Sequence, residues 1–259
     1  MERVEYHRMA MLEATMWWYR ALHARLLARI GRLRLRLPPG ARLLDAGCGT
    51  GGLLARLAAA YPDLALQGLE YDPEAAELAR GKLAASRPVP AAAGQPPARE
   101  VRVGSVNAMP YPDAQFDLVV SADVLCHAAV DETAALQEFH RCLKPGGILL
   151  LNLPAYQWMA SSHDTHVHNA RRYTAGRVRA TVAAAGFAPV CCGYWNSLLF
   201  PLMLLHRVGG GKSGGSDVKP FPGWQDRLFY AATAAERWLA EIGIRLPFGG
   251  SVWVEARKS

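Results

Sequence analysis

Apolar residues recur at three- and four-residue steps from Met9 through Leu12, Met16, Tyr19, Leu22 and Leu26 to Ile30. That is the period of one helical face, so residues 9–30 are expected to form an amphipathic helix, ended by "PPG" at 38–40. The pattern then changes. "ARLLDAG" reads as a short buried strand and "GLLARLAAA" as the helix after it. "LALQGLE" is a second strand, and "DPEAAELARGKLAAS" a helix with Asp72 as N-cap and Pro73 in its first turn. "RPVPAAAGQPPARE" is a Pro/Ala loop, "VRVGS" a third strand and "FDLVVSA" a fourth. "ETAALQEFHRCL" is a helix, "KPGG" a turn and "ILLLNLP" a fifth strand. A helix over "TAGRVRATVAAAG", a sixth strand "FAPVCCGYW" and a last strand "SVWVEAR" complete the series.

Strands that alternate with helices and read as near-continuous apolar runs indicate an α/β fold, its sheet covered on both faces. The stretch at about 193–250 is far longer than a hairpin between the last two strands requires. It is read as a helical lid of two apolar helices, roughly 195–207 and 224–242, joined by "GGGKSGGSD". Residues 1–37 then form an N-terminal helical cap, and 38–259 the main domain.

Composition narrows the setting. Of 259 residues 51% are hydrophobic and 20% charged, which argues against disorder. A formal charge of +7, from 29 basic against 22 acidic residues, is scattered along the chain. It suits an anionic substrate or a membrane surface as well as nucleic acid, and no basic tail favours the last, so no nucleic-acid partner is expected. Five cysteines without a C-x-x-C fit reduced thiols in a cytoplasmic protein. The N-terminus lacks the apolar core of a secretory signal, and "WNSLLFPLMLLHRV" is too short to span a bilayer.

The chemistry concentrates in "LLDAGCGTGG". A buried strand delivers Asp45, and Gly47, Gly49 and Gly51 make a turn that lets a ligand approach the backbone beside a helix N-terminus. Glu70 closes the second strand at the spacing where a nucleotide-binding sheet sets an acid against a ribose diol. Together they indicate a ribosyl cofactor.

Residues 41–154 resemble, in order and spacing, the class I S-adenosylmethionine-dependent methyltransferases. "LLDAGCGTGG" is similar to their first motif, "GLEYDPEAAELAR" to the second, and "MPYPDAQFDLVVSADVLCHA" to the third and fourth. "EFHRCLKPGGILLLNLP" is similar to the helix, turn and strand that follow. The resemblance implies a seven-stranded Rossmann-like sheet with an antiparallel last strand, and S-adenosyl-L-methionine as cofactor. It implies that Asp45, Gly47, Cys48 and Gly49 meet the methionine part of the cofactor and that Glu70 holds the ribose. Tyr71 would lie beside the adenine, Ser105 and Val106 at its edge, and Ser121 at the end of the fourth strand. Asp123 and His127 would border the methyl group, with a helix-capping role for Asp123 equally open.

"SSHDTHVHNARRYT" follows the fifth strand and should lie at the acceptor side. His163, Asp164, His166 and His168 include metal-ligand types, but they crowd one loop and no second acidic cluster stands elsewhere, so no metal is expected. A hydroxyl acceptor would want a general base, for which His163, His166 and His127 are candidates. "HDTHVHNARRYTAGRVRATVAAAGF" resembles a bacterial subset of the family. Arg171 and Arg172, with Tyr173, are candidates to hold an anionic group of the substrate, a salt bridge from the next helix being the alternative. Trp18, in "MWWYRALHARLL", is a candidate to close over the cleft, with core packing equally open. The apolar lid suits a lipid-like or aromatic substrate, a peripheral membrane contact or a homodimer contact. The expected function is methyl transfer to a small-molecule or lipid-linked acceptor, with oxygen as the expected methylated atom, in secondary metabolism. The alternative is a cofactor-binding regulatory or partner subunit.

Overall fold

A computed structural model describes residues 3–86, 98–208 and 220–259. Most of the Pro/Ala loop and the whole "GGGKSGGSD" linker lie outside the described residues. Seven strands form one sheet: β1 (Arg42–Ala46), β2 (Ala65–Glu70), β3 (Arg99–Val103), β4 (Phe116–Ala122), β5 (Leu143–Pro154), β6 (Phe187–Trp195) and β7 (Ser251–Lys258). Their order is β3-β2-β1-β4-β5-β7-β6, with only β7 antiparallel to its neighbours. The carboxyl ends of the six parallel strands therefore share one edge, where an open α/β sheet places its ligand.

Period-two alternation assigns the strand side chains to two layers. Leu44, Ala46, Val119, Leu149 and Leu151 pack under α5 (Glu132–Cys142) and α7 (Ala175–Ala184), with Phe139, Val178 and Val182. Leu43, Leu66, Leu118, Val120 and Leu150 pack on the other face under α2 (Trp17–Arg34), α3 (Gly52–Ala60) and α4 (Pro73–Ala85). Asp72 caps α4 as expected, accepting from the N–H groups of Glu74 and Ala75 at 2.9 and 3.0 Å.

The leader is not one helix. It breaks after α1 (Arg3–Leu12), and α2 starts at Trp17. The cause lies far away in sequence. Asp226 of α9 (Gly223–Glu241) accepts from the backbone N–H of Trp17 at 2.6 Å and pairs with Arg20 at 3.1 Å. This external carboxylate caps α2 where Met16, in extended conformation, gives no side-chain cap. The expected "KPGG" turn is also absorbed: β5 begins at Leu143, with a register shift opposite Phe116 and Leu118 and Gly146 at φ 74°.

The insert consists of α8 (Phe200–Val208) and α9, and starts only after Trp195. Glu236 of α9 anchors it, accepting from the Ser197 N–H at 2.6 Å and pairing with Arg25 of α2 at 3.3 Å. Trp18 of α2 stacks on Trp195 at 4.9 Å, while Trp17 packs edge-on against Phe221 and Phe229. Cap and lid are thus one packed unit on the sheet. Among the described residues no helix is long and apolar enough to cross a membrane.

Candidate active site at the carboxyl edge of the sheet

The chain leaves β1 through Gly47, Gly49 and Gly51 at φ 85°, 53° and 84°, a region that disfavours any side chain. Space is as restrictive as conformation. A Cβ on Gly47 would stand 2.3 Å from the Val124 side chain, and one on Gly51 2.7 Å from the Ala79 backbone. The N–H groups of Gly47 and Cys48 donate to the Leu69 carbonyl at 2.8 and 3.0 Å, locking the turn to the end of β2. Gly47, Gly49 and Gly52 also satisfy a G-x-G-x-x-G spacing, so the turn alone does not separate this fold from dinucleotide-binding sheets. The antiparallel β7 does.

Glu70 ends β2 beside this turn and is buried. Its carboxylate accepts from the Gly49 N–H at 2.9 Å, the Asp72 N–H at 3.0 Å and the Tyr6 hydroxyl at 3.3 Å. Asp45 lies next to it on β1, 3% exposed. Burial, with the negative charges of Glu70 and Glu13, pushes its carboxyl up to about 7. A buried acid facing a glycine turn, in an already negative cradle, suits a cationic ligand group. These residues fit the amino and ribosyl parts of S-adenosylmethionine.

The α1 helix, part of the expected N-terminal cap, forms the roof of this cradle through contacts that no sequence feature singled out. Tyr6 reaches Glu70, and His7 meets Glu74 at the start of α4 at 2.8 Å. The Met9 methyl would lie 2.7 Å from a Cβ on Gly49. Glu13 accepts from the Thr50 hydroxyl at 3.0 Å and pairs with Lys82. Only tertiary structure could reveal these contacts, since they join the leader to residues 37 to 69 positions away.

Other proposed cofactor residues divide. Tyr71 stands 75% exposed beside the cradle, and Val106 is buried. The Ser105 hydroxyl accepts from the Asn107 N–H at 3.1 Å. Ser121 needs correction: its hydroxyl donates to the Ala46 carbonyl at 2.9 Å and is 1% exposed, so it braces the turn from below. Cys48 likewise turns its buried thiol inward, toward the position a Gly68 side chain would take.

Across the edge, three strands are followed by residues in the left-handed region: Asp123 after β4, Tyr156 after β5 and Asn196 after β6 have φ of 56°, 56° and 60°. Asp123 is fixed by two contacts from the Asn152 side-chain amide at 3.1 and 3.2 Å, and burial pushes its carboxyl up to about 7. The same amide accepts from the Trp195 indole N–H at 2.6 Å. Beside it Tyr156 stacks with Trp158 at 5.5 Å and Tyr194 at 5.3 Å, and touches Phe200 of α8, which meets Phe248. This aromatic wall escaped the sequence reading because its members come from four separate segments.

The histidine–arginine loop is largely scaffold. Asp164, at the centre of α6 (Ser162–His166), forms a buried fork with Arg172, whose Nε and Nη2 donate at 3.0 Å each. Arg172 also donates to the Ala155 carbonyl, and Arg171 to the carbonyls of Leu125, His127 and Val130. Both guanidiniums are thereby taken up internally, which corrects their assignment to a substrate anion. Tyr173, 1% exposed, donates to the Leu125 carbonyl at 3.0 Å and is likewise core. Trp18 stacks on Trp195, whose indole N–H donates to the Asn152 amide beside Asp123. Burial pushes His127 down to about 4, leaving little proton affinity for a base at neutral pH. The His163 side chain lies outside the described residues; His166 is half-buried and His168 exposed at φ 58°. No three His, Cys, Asp or Glu side chains among the described residues gather as metal ligands.

Comparison with known proteins agrees with this geometry. Residues 44–151 match a family model described as a methyltransferase domain. Over 187 residues the chain is 30% identical to a malonyl-[acyl-carrier protein] O-methyltransferase of Geobacter sulfurreducens, covering 66% of this chain and 65% of that one. A ubiquinone/menaquinone biosynthesis C-methyltransferase of Geotalea daltonii is 28% identical over 137 residues, 52% and 55% of the two chains. The chain thus spans between about half and two thirds of these relatives' lengths. Among solved structures, a Haloferax volcanii methyltransferase in complex with a Trm112 activator matches with TM-score 0.60 at 20% identity, over 98% of this chain and 97% of that one.

Proposed function

We propose that this chain, which belongs to the class I S-adenosylmethionine-dependent methyltransferases, moves the methyl group of that cofactor to a hydroxyl oxygen of an apolar, aromatic or lipid-linked acceptor. The observation that carries this reading is the pairing of two ends of one sheet edge. The glycine turn, Asp45 and Glu70 form a cradle on β1 and β2, and Asp123 with the aromatic wall stands on the neighbouring β4, β5 and β6.

The cofactor supplies an activated methyl group on a sulfonium, so the chain's task is positioning. Glu70 accepts from hydroxyls, and Asp45 in its ionised form offsets cationic charge. The aromatic wall of Tyr156, Trp158 and Tyr194 excludes water and lays down an apolar or planar acceptor. Asp123 takes the acceptor's hydroxyl proton as the oxygen forms its bond to the methyl carbon. With the cofactor bound, the electron pair of the carbon–sulfur bond would remain on sulfur, so the hydroxyl proton is the one the chain has to take. A carboxyl near 7 accepts a proton far better than an ordinary aspartate. The named relatives act on carbon and on oxygen, and it is the placement of Asp123 that favours oxygen.

The test is release of S-adenosylhomocysteine by purified protein with panels of phenols, prenyl-linked hydroxyls and carboxylic acids. Turnover of a hydroxyl acceptor, lost in Asp123→Asn with cofactor affinity kept, is expected. Cofactor binding without product across all three panels would leave a binding subunit as the better reading.

A further inference from the structure

The outward face of α9 has no partner in the fold. At 100° per residue, Trp224, Leu228, Ala231, Ala235, Trp238 and Ile242 form one stripe on the half of the helix opposite Thr233 and Glu236. Trp224 is 64% exposed, Trp238 59% and Ile242 55%. The two tryptophans stand about 21 Å apart along the axis. On α8, the other helix of the insert, Leu202 and Leu205 are also exposed, although Phe200 of the same helix touches the aromatic wall. A monomer seldom leaves so long an apolar face bare.

Charge identifies what covers it. The three acids of α9 all turn toward α2: Asp226 pairs with Arg20, Glu236 with Arg25 and Glu241 with Arg32. The outward half of α9 carries one charged residue, Arg227. Where the stripe ends, a groove of about 70 Å³ between α2 and the tail of α9 is lined by Arg25, Arg29, Arg32, Arg237 and Arg245 with Glu241, and the first three arginines are paired with acids. Of these, Arg237 and Arg245 form no ion pair with any described residue. An apolar stripe with tryptophan at each end, beside a positive groove, complements a surface with an apolar interior and anionic headgroups. A second copy fits less well, since a two-fold mate packed stripe to stripe would offer no unpaired acid of α9 to Arg227, Arg237 and Arg245.

We propose that the α8–α9 insert docks this protein on an anionic phospholipid bilayer, with the α9 stripe lying in the interface and Arg237 and Arg245, which have no acidic partner among the described residues, taking the headgroup phosphates. This docking stands apart from methyl transfer, although it would set the aromatic wall, through α8, close to a lipid-carried acceptor. The full chain is sedimented with vesicles of phosphatidylcholine alone and of phosphatidylcholine with phosphatidylglycerol, at low and high salt. Association with the anionic vesicles is expected, falling at least tenfold in high salt, and little with the neutral ones. Leu228→Glu with Trp238→Glu should abolish it, and Arg237→Glu should weaken it several-fold. Both variants should keep the wild-type melting temperature and cofactor titration, which separates a failure of docking from a failure of the cofactor site. Absence of vesicle association at low salt would overturn the proposal. So would association indifferent to salt and to Arg237→Glu, or a dimer in sedimentation equilibrium that Leu228→Glu with Trp238→Glu dissociates.

Discussion

The hydroxyl of Tyr6 on α1 donates to Oε1 of Glu70 at the end of β2, 3.3 Å away. A carboxylate offers about four lone-pair sites. Gly49, Asp72 and Tyr6 already occupy three of them. A ribose diol needs two, so Tyr6 competes with the cofactor it roofs. Tyr6→Phe should therefore tighten cofactor binding about fivefold, the weight of about 1 kcal/mol for one exchanged hydrogen bond. Glu70→Ala should weaken it by about 1.5–3 kcal/mol. Titration calorimetry on both variants decides; weaker binding by Tyr6→Phe would make the tyrosine a cofactor ligand instead of a competitor.

Asp45 gives a proton-linked signature. Its carboxyl rises from the ordinary 3.8 to about 7 through burial and the charges of Glu70 and Glu13. The folded protein thus holds a proton that the unfolded chain releases between those values, and stability falls as pH rises through that window. Bound positive charge reverses the preference. S-adenosylmethionine binding near pH 6.5 should expel roughly half to three quarters of a proton. Calorimetry in buffers of differing ionisation enthalpy reads that number directly, and Asp45→Asn should reduce it to near zero.

Much of this was legible in the chain. Helix boundaries at Pro73 and Thr174, the apolar runs of β1, β4 and β5, and the acid at Glu70 are local signals, and local signals survive folding. Contacts joining distant segments were not legible. The break before Trp17 depends on Asp226, and the aromatic wall on residues from the segment after β5, from β6, from α8 and from the approach to β7. Arg171 and Arg172 show the limit most clearly. An arginine pair beside an active-site loop looks the same whether its partner is a substrate anion or Asp164.

That pairing can be weighed. Arg172 and Asp164 are both buried, joined through two 3.0 Å bonds, and each has further partners. Removing one leaves the other charge stranded, so Arg172→Ala should lower the unfolding free energy by about 3–5 kcal/mol in urea titrations. Burial raises the Asp164 carboxyl, but the Arg172 hydrogen bonds and charge outweigh it and hold it below the ordinary value. The stabilisation is therefore present above the unfolded carboxylate range and is lost as pH falls through the depressed one. An unchanged urea midpoint with a raised KM would return Arg172 to the substrate.

Asn152 offers the sharpest test of the chemistry, because it acts on Asp123 without touching an acceptor. Burial raises the Asp123 carboxyl to about 7, while the Asn152 amide, at 3.1 and 3.2 Å, pulls it back toward the ionised form. If Asp123 is the base, kcat should climb as pH rises toward 7 and then level. Asp123→Asn should lower it by roughly 10²–10⁴ while sparing cofactor affinity. Asn152→Leu removes the amide contacts that favour the charged carboxylate, so the climbing limb must move to higher pH. The same change strands the Trp195 indole N–H, costing about 1–3 kcal/mol of stability. A purely structural Asn152 would show that loss alone, with the pH–rate limb where it was; a displaced limb identifies the amide as the group that sets the base.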